Sequence, residues 1–203
     1  MADIFPILLR GFIIGISIAA PVGPIGVLCI RRTLADGKLT GFLSGLGAAT
    51  ADMLYGTVAA FGLKFVMDLL IGQAIWLRLT GGIFLLYLGI KTLLSKPAEQ
   101  AAQVNHSGLL AAYLSTLLLT ITNPMTILSF IAIFAGIMPA GPGNSPLALV
   151  LGVFAGSASW WLALSFAVGP MRERVTPAVM LWINRSSGAV ITTFGVIALS
   201  GLG

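Results

Sequence analysis

Asp52 is the only acidic residue deep inside an apolar run of this 203-residue chain. An ionisable group surrounded by hydrocarbon is costly, and by default it marks a site of function. Two kinds of chemistry are open to it. As a carboxylate it can receive the ammonium group of a small ligand; by cycling through its neutral form it can carry a coupling proton. Tyr55 follows three residues later, one helical turn away on a neighbouring face. The competing reading is an aspartate kept, hydrogen-bonded, for structure alone.

The second candidate is a pair of proline motifs, "AAPVGPIGV" at 19–27 and "TITNPMTIL" at 120–128. Proline inside a helix deletes a backbone hydrogen bond and clashes with the preceding turn, at about 3 kcal/mol or more. Pro24 and Pro124 each free carbonyls one turn earlier, and Pro21 adds a second break to the first motif. Within a bilayer such groups are tolerated only where protein or water covers them. A broken helix presents an N-terminal end that favours a carboxylate and freed carbonyls that favour a cation. A molecule with both charges, such as an amino acid, suits a site with both features. Pro21, Gly23, Pro24, Asp52, Tyr55, Asn123 and Pro124 therefore form the candidate substrate-binding set, with Asp52 also the candidate coupling residue.

These residues need elements that hold them at membrane depth. The chain is 58% hydrophobic and 8% charged, against about 25% charged for soluble domains. Six apolar segments, at about 5–30, 41–66, 75–95, 108–137, 147–169 and 185–203, are long enough to cross roughly 30 Å of hydrocarbon. Each is a helix candidate, because open strands cannot satisfy their backbone in lipid. The sixth is the weakest, short and interrupted by Ser and Thr. The expected fold is an all-α polytopic membrane protein, one transmembrane transporter domain over 1–203.

The formal charge of +5 does not indicate nucleic acid, since the basic residues form no stripe with interleaved aromatics. They lie at span ends. Arg31, Arg32, Lys38, Lys91, Lys96, Arg172, Arg174 and Arg185 flank the first, third and fifth connectors, whereas only Arg10, Lys64 and Arg78 lie on the other side. That asymmetry predicts cytoplasmic odd-numbered connectors and both termini outside. The N-terminal "MADIF" lacks the basic start of a secretory signal. One cysteine, Cys29, excludes an intrachain disulfide and a CxxC redox pair. His106, the single histidine, is expected to be a solvated loop residue of a polar linker at about 96–107.

Overlaying the halves reveals an internal repeat, about 5–95 and 108–203. At an offset of 100, "GPIGVLCI" falls on "NPMTILSF"; at 107, "GLGAATADMLYGTVAAFG" falls on "GVFAGSASWWLALSFAVG". At 106, Trp76, Gly82, Gly89 and Leu93 meet Trp182, Gly188, Gly195 and Leu199. An odd number of helices per repeat inverts one half relative to the other, so the chain reads as a 3+3 inverted repeat with proline-broken first and fourth helices, an arrangement of secondary transporters. Asp52 pairs with Ser159, so the halves are not chemically equivalent. Glycines at 41, 45, 56, 152 and 156 read as packing seams. Trp76 and Trp182 read as interface anchors. Trp160 and Trp161 lie deeper; packing is the first reading, lining a pathway the second. Arg31, Arg32 and the "RER" at 172–174 read as topology charges.

In order, "PVGP", "GLGAATADMLYG", "WLRLTGGIFLLYLGIKTL" and "TNP" closely resemble the LysE/RhtB family of bacterial amino-acid exporters, across essentially the whole chain. The resemblance implies a multi-pass protein of the bacterial cytoplasmic (inner) membrane that exports amino acids or close derivatives, driven by an ion gradient, commonly protons. The family's motif positions fall on Gly23, Pro24, Asp52, Asn123 and Pro124. On that footing Asp52 binds the ammonium or exchanges a proton with it, and Asn123 hydrogen-bonds the substrate. The partners are then an amino-acid substrate, a coupling ion (H+ the expectation), the lipid bilayer and, as an open option, a second copy of the chain. No cofactor, metal or catalytic residue is assigned, since no hydrolytic triad, metal cluster or phosphate loop is present. A divalent-cation exporter is an alternative that lacks ligands, with Asp52 and Cys29 as the only candidates. A membrane scaffold or electron carrier is another; it leaves a carboxylate at depth unexplained.

Overall fold

The computed structural model describes residues 4–21, 23–61, 72–95, 106–123, 126–127, 129–130 and 145–200. Among these, the regular structure is entirely helical: α1 (Ile4–Ala19), α2 (Pro24–Asp36), α3 (Lys38–Ala60), α4 (Ala74–Leu93), α5 (His106–Ile121), α6 (Pro146–Val168), a 3-10 turn over Gly169–Arg174 and α7 (Pro177–Ser200). Two are both long and apolar enough to cross a membrane, Ile75–Leu93 and Pro146–Arg174; the bent pair α1–α2 makes a third if counted as one span. α3 and α7 have 23 and 24 residues, a reach of about 34–36 Å, but their many Gly, Ser and Thr lower the mean hydropathy.

The bounds differ from expectation wherever a single residue decides them. The first segment, expected to run 5–30, is two helices that meet at 82°. Pro24 sits at the first helical position of α2, where its missing N–H costs nothing, so it starts a helix instead of kinking one. "RRTLADGKLT", expected as a connector, is helical except at Gly37, whose φ of 100° only glycine adopts readily. The helix expected from 41 therefore begins at Lys38; its expected end, 62–66, lies outside the described residues. The sixth segment begins at Pro177, not 185, because Thr176 caps it: its Oγ1 accepts from the Val179 N–H at 3.3 Å. His106 opens α5 instead of lying in the linker, of which 96–105 fall outside the description.

The helices pack along seams of small residues. α1 crosses α6, where Gly11 and Gly15 face the Leu149, Gly152, Val153 and Ser157 backbone, and Gly152 and Gly156 face Leu8, Gly11 and Phe12 in return. A methyl on any of these four would collide with backbone of the other helix, so glycine sets the spacing. α3 packs on both α5 and α6, and α4 packs on α7. In that last pair Gly82 faces Leu199, Gly188 faces Leu93, Gly89 faces Thr192 and Gly195 faces Leu86. The core around Leu28, Cys29, Ala48, Ala49, Leu119, Trp161 and Ile191 sits where α2, α3, α5, α6 and α7 converge.

Candidate functional site

The break between α1 and α2 opens a cavity of about 530 Å³ against α3, α4, the end of α5, α6 and α7. Pro21, Gly23 and Pro24 line it from the break, Asp52 from α3, and Asn123 from the chain just past α5. Five of the seven candidate residues thus border one space. Pro124 lies outside the described residues. Tyr55 is buried away from the cavity lining: its hydroxyl donates to the Ile121 carbonyl, and its ring lies 5.6 Å from that of Phe130. It ties α3 to the end of α5, next to Asn123.

Asp52 is buried at 3% exposure, and its Oδ2 accepts a 2.7 Å hydrogen bond from Ser157 Oγ on α6. Gly45 and Gly56, one on either side of it along α3, face Trp161 and Val153 of α6, and such small residues let α6 come close enough for a serine to reach the carboxyl. The start of α2 borders the same cavity as this carboxyl. Its N-cap is Gly23, which supplies no side-chain oxygen, and Pro24 has no N–H to offer. The first-turn N–H groups of Ile25 and Gly26, both lining residues, have no intrahelical acceptor. The site therefore combines an acid with an uncapped helix N-terminus, two features that favour opposite charges.

Trp161 also lines the cavity. It is 3% exposed, and its indole Nε1–H is the one buried side-chain N or O group among the described residues without a hydrogen-bond partner. Gly45 makes room for it: a Cβ there would overlap the base of the indole. In sequence, Trp161 carried two readings; the position within "SASWW" alone could not say which tryptophan turned inward. Thr120, Thr122, Thr126 and Ser129 add hydroxyls, and Ile25, Leu85, Leu119 and Phe194 add apolar surface.

Arg31, Arg32 and Arg172, expected from sequence to set topology, also join helices. Arg32 donates to Ser44 Oγ at 3.0 Å, Ala112 O at 3.0 Å, Thr116 Oγ1 at 2.9 Å and Ser115 Oγ at 2.8 Å, joining α2 to α3 and α5. Arg31 Nε donates to Asn184 Oδ1 at 3.0 Å, and Asn184 donates to the Ser95 carbonyl at 3.2 Å. Arg172 donates to the Ala35 carbonyl at 3.2 Å. Residues in or flanking the first, third and fifth connectors are thus joined by hydrogen bonds. Among the described residues, no three His, Cys, Asp or Glu side chains come together as a metal site.

The sequence profile of the family described as LysE type translocator matches residues 16–201. The chain is 26% identical over 196 residues to the "Putative amino acid efflux protein YcgF" of Bacillus subtilis (strain 168), covering 93% of each. It is 27% identical over 172 residues to the "Uncharacterized membrane protein YahN" of Escherichia coli (strain K12), covering 82% of this chain and 77% of that one.

Proposed function

This chain belongs to the LysE type translocator family, and on that premise we propose that it is a secondary transporter exporting amino acids or close derivatives by alternating access, coupled to protons. The observation that carries the reading is the meeting of Asp52 and the uncapped start of α2 at one cavity. An α-amino acid presents an ammonium and a carboxylate two bonds apart. Asp52 is suited to the first, and the Ile25 and Gly26 N–H groups to the second. The similarity to YcgF supports amino-acid efflux as the activity.

In this reading the substrate-binding residues are Pro21, Gly23, Pro24, Asp52, Asn123 and Pro124. Tyr55 holds α3 against the chain before Asn123. Asp52 doubles as the coupling group, because an ammonium and a proton compete for one carboxylate. The protein lies in the bacterial cytoplasmic membrane with the first, third and fifth connectors inside and both termini outside. The hydrogen bonds that join Arg31 to Asn184, Asn184 to Ser95 and Arg172 to Ala35 support that arrangement.

The six-span, 3+3 inverted repeat is also part of the proposal. Its support is the α4–α7 seam. Gly82 and Gly188 are partners at an offset of 106, and so are Leu93 and Leu199; the contacts Gly82–Leu199 and Gly188–Leu93 exchange under that offset. Gly89–Thr192 and Gly195–Leu86 exchange the same way. Such reciprocity is the signature of a two-fold relation.

Counterflow into proteoliposomes from a panel of amino acids, with and without a pH gradient, tests the reading. Exchange of at least one amino acid, accelerated by the gradient, is expected; absence of exchange for the whole panel overturns it. The divalent-cation alternative finds no ligand set among the described residues.

A further inference from the structure

We infer that the site selects amino acids with an uncharged, apolar side chain, and that Trp161 helps read their carboxylate. This rests on the amino-acid reading of the cavity. Among its described lining residues, Asp52 is the only one with an ionisable side chain. The two arginines nearest in sequence to the break are engaged elsewhere, Arg31 with Asn184 and Arg32 with the hydroxyls and carbonyl of α3 and α5.

Charge matching follows directly. A zwitterionic amino acid brings one positive and one negative group, which Asp52 and the start of α2 can balance. A lysine, arginine, glutamate or aspartate brings a third charge into the same space. No described lining side chain balances it, and an unbalanced charge out of water is strongly disfavoured. What the rest of the lining offers is apolar surface: Ile25, Leu85 and Leu119 are buried, with Phe194 beside them. Hydrocarbon there rewards a branched or aromatic side chain by the area it removes from water.

Trp161 supplies the second observation. Its indole N–H is buried, belongs to a lining side chain and has no acceptor among the described residues. A buried donor left unmatched is costly. A substrate carboxylate seated against the first turn of α2 offers the missing acceptor, so Trp161 and the helix end together hold one end of the ligand.

The test uses the full-length wild-type protein in proteoliposomes preloaded with leucine. Counterflow is driven by labelled leucine, phenylalanine, alanine, lysine, arginine or glutamate. Leucine and phenylalanine are expected to exchange, alanine about tenfold less well, and the three charged amino acids at background. Lysine, arginine or glutamate exchanging as well as leucine overturns the inference while leaving the amino-acid reading intact; silence across the panel overturns both. Tryptophan fluorescence gives an independent readout in detergent. Leucine is expected to change the wild-type emission, and Trp161→Phe is expected to remove that change and raise the half-saturating leucine concentration about tenfold. A Trp161→Phe protein that binds leucine like wild type removes Trp161 from the site.

Discussion

Ser157 Oγ on α6 donates a 2.7 Å hydrogen bond to Oδ2 of Asp52 on α3, deep between two helices and at the edge of the cavity. The bond occupies one oxygen of the carboxyl and leaves the other for the substrate or a proton. It also fixes where the carboxyl points, which a lone aspartate in an apolar setting would not ensure.

Asp52→Asn keeps an oxygen that Ser157 can still donate to, so the fold is expected to survive. The variant cannot hold a negative charge or take up a proton. Proton-gradient-driven accumulation of substrate is expected to fall to background in proteoliposomes, with an unchanged elution volume in size-exclusion chromatography. Wild-type accumulation by a folded Asp52→Asn protein removes Asp52 from the coupling role. Ser157→Ala should act more mildly, costing about 1 kcal/mol of stability for the lost bond and reducing the transport rate without abolishing the response to pH.

Arg32 makes its four hydrogen bonds through a guanidinium fork that reaches Ser44 on α3 and Ala112, Ser115 and Thr116 on α5. Lysine keeps the charge but is a single point donor that cannot span those positions. Arg32→Lys is expected to destabilise the protein by ~3 kcal/mol, from two or more charge-assisted bonds lost. A thermal-shift assay in detergent reads it as a lower unfolding midpoint; an unchanged midpoint means the fork holds little.

The residues most legible in the sequence were those whose chemistry clashes with their surroundings. Asp52 among alanines, and Pro21 and Pro24 in an apolar run, stood out, and all three border the cavity. Less legible was anything decided by which way a side chain turns. Tyr55 is one turn from Asp52 on a neighbouring face by spacing, and its hydroxyl reaches the Ile121 carbonyl, away from the cavity lining. Arg32 has the composition of a topology charge, and only the packing of α3 and α5 around it reveals its inward role. Helix bounds failed for a similar reason: Gly37 and Thr176 end or begin helices inside stretches whose polarity suggested loop. The break at Pro21 and Pro24 is legible from the prolines alone, but that Pro24 sits at the first turn and starts α2 depends on where the new helix begins.

Membrane orientation can be checked with introduced cysteines, because the native Cys29 is buried at 1% exposure and leaves a quiet background. Gln73 and Glu173 are both exposed and lie in the second and fifth connectors. In intact cells a membrane-impermeant maleimide is expected to label Gln73→Cys, and to label Glu173→Cys only after permeabilisation. The reverse pattern inverts the topology.

The α4–α7 seam offers a test of the repeat that does not depend on transport. If the two helices are related by a two-fold, substitutions at matched positions meet matched resistance. A methyl at Gly89 runs into Thr192, and a methyl at Gly195 runs into Leu86. Thr192 and Leu86 occupy corresponding places at the offset of 106. Gly89→Ala and Gly195→Ala are each expected to cost ~1–3 kcal/mol, the usual range for overpacking. Gly108, near the start of α5, has nothing within 4 Å of an added Cβ. Gly108→Ala should be neutral or stabilising by about 0.5–1 kcal/mol, since alanine is the better helix former. Unfolding midpoints in one detergent compare all three. Comparable losses at 89 and 195, against none at 108, fit reciprocal packing; a loss at only one of the pair makes the seam asymmetric and removes that support for the inverted repeat.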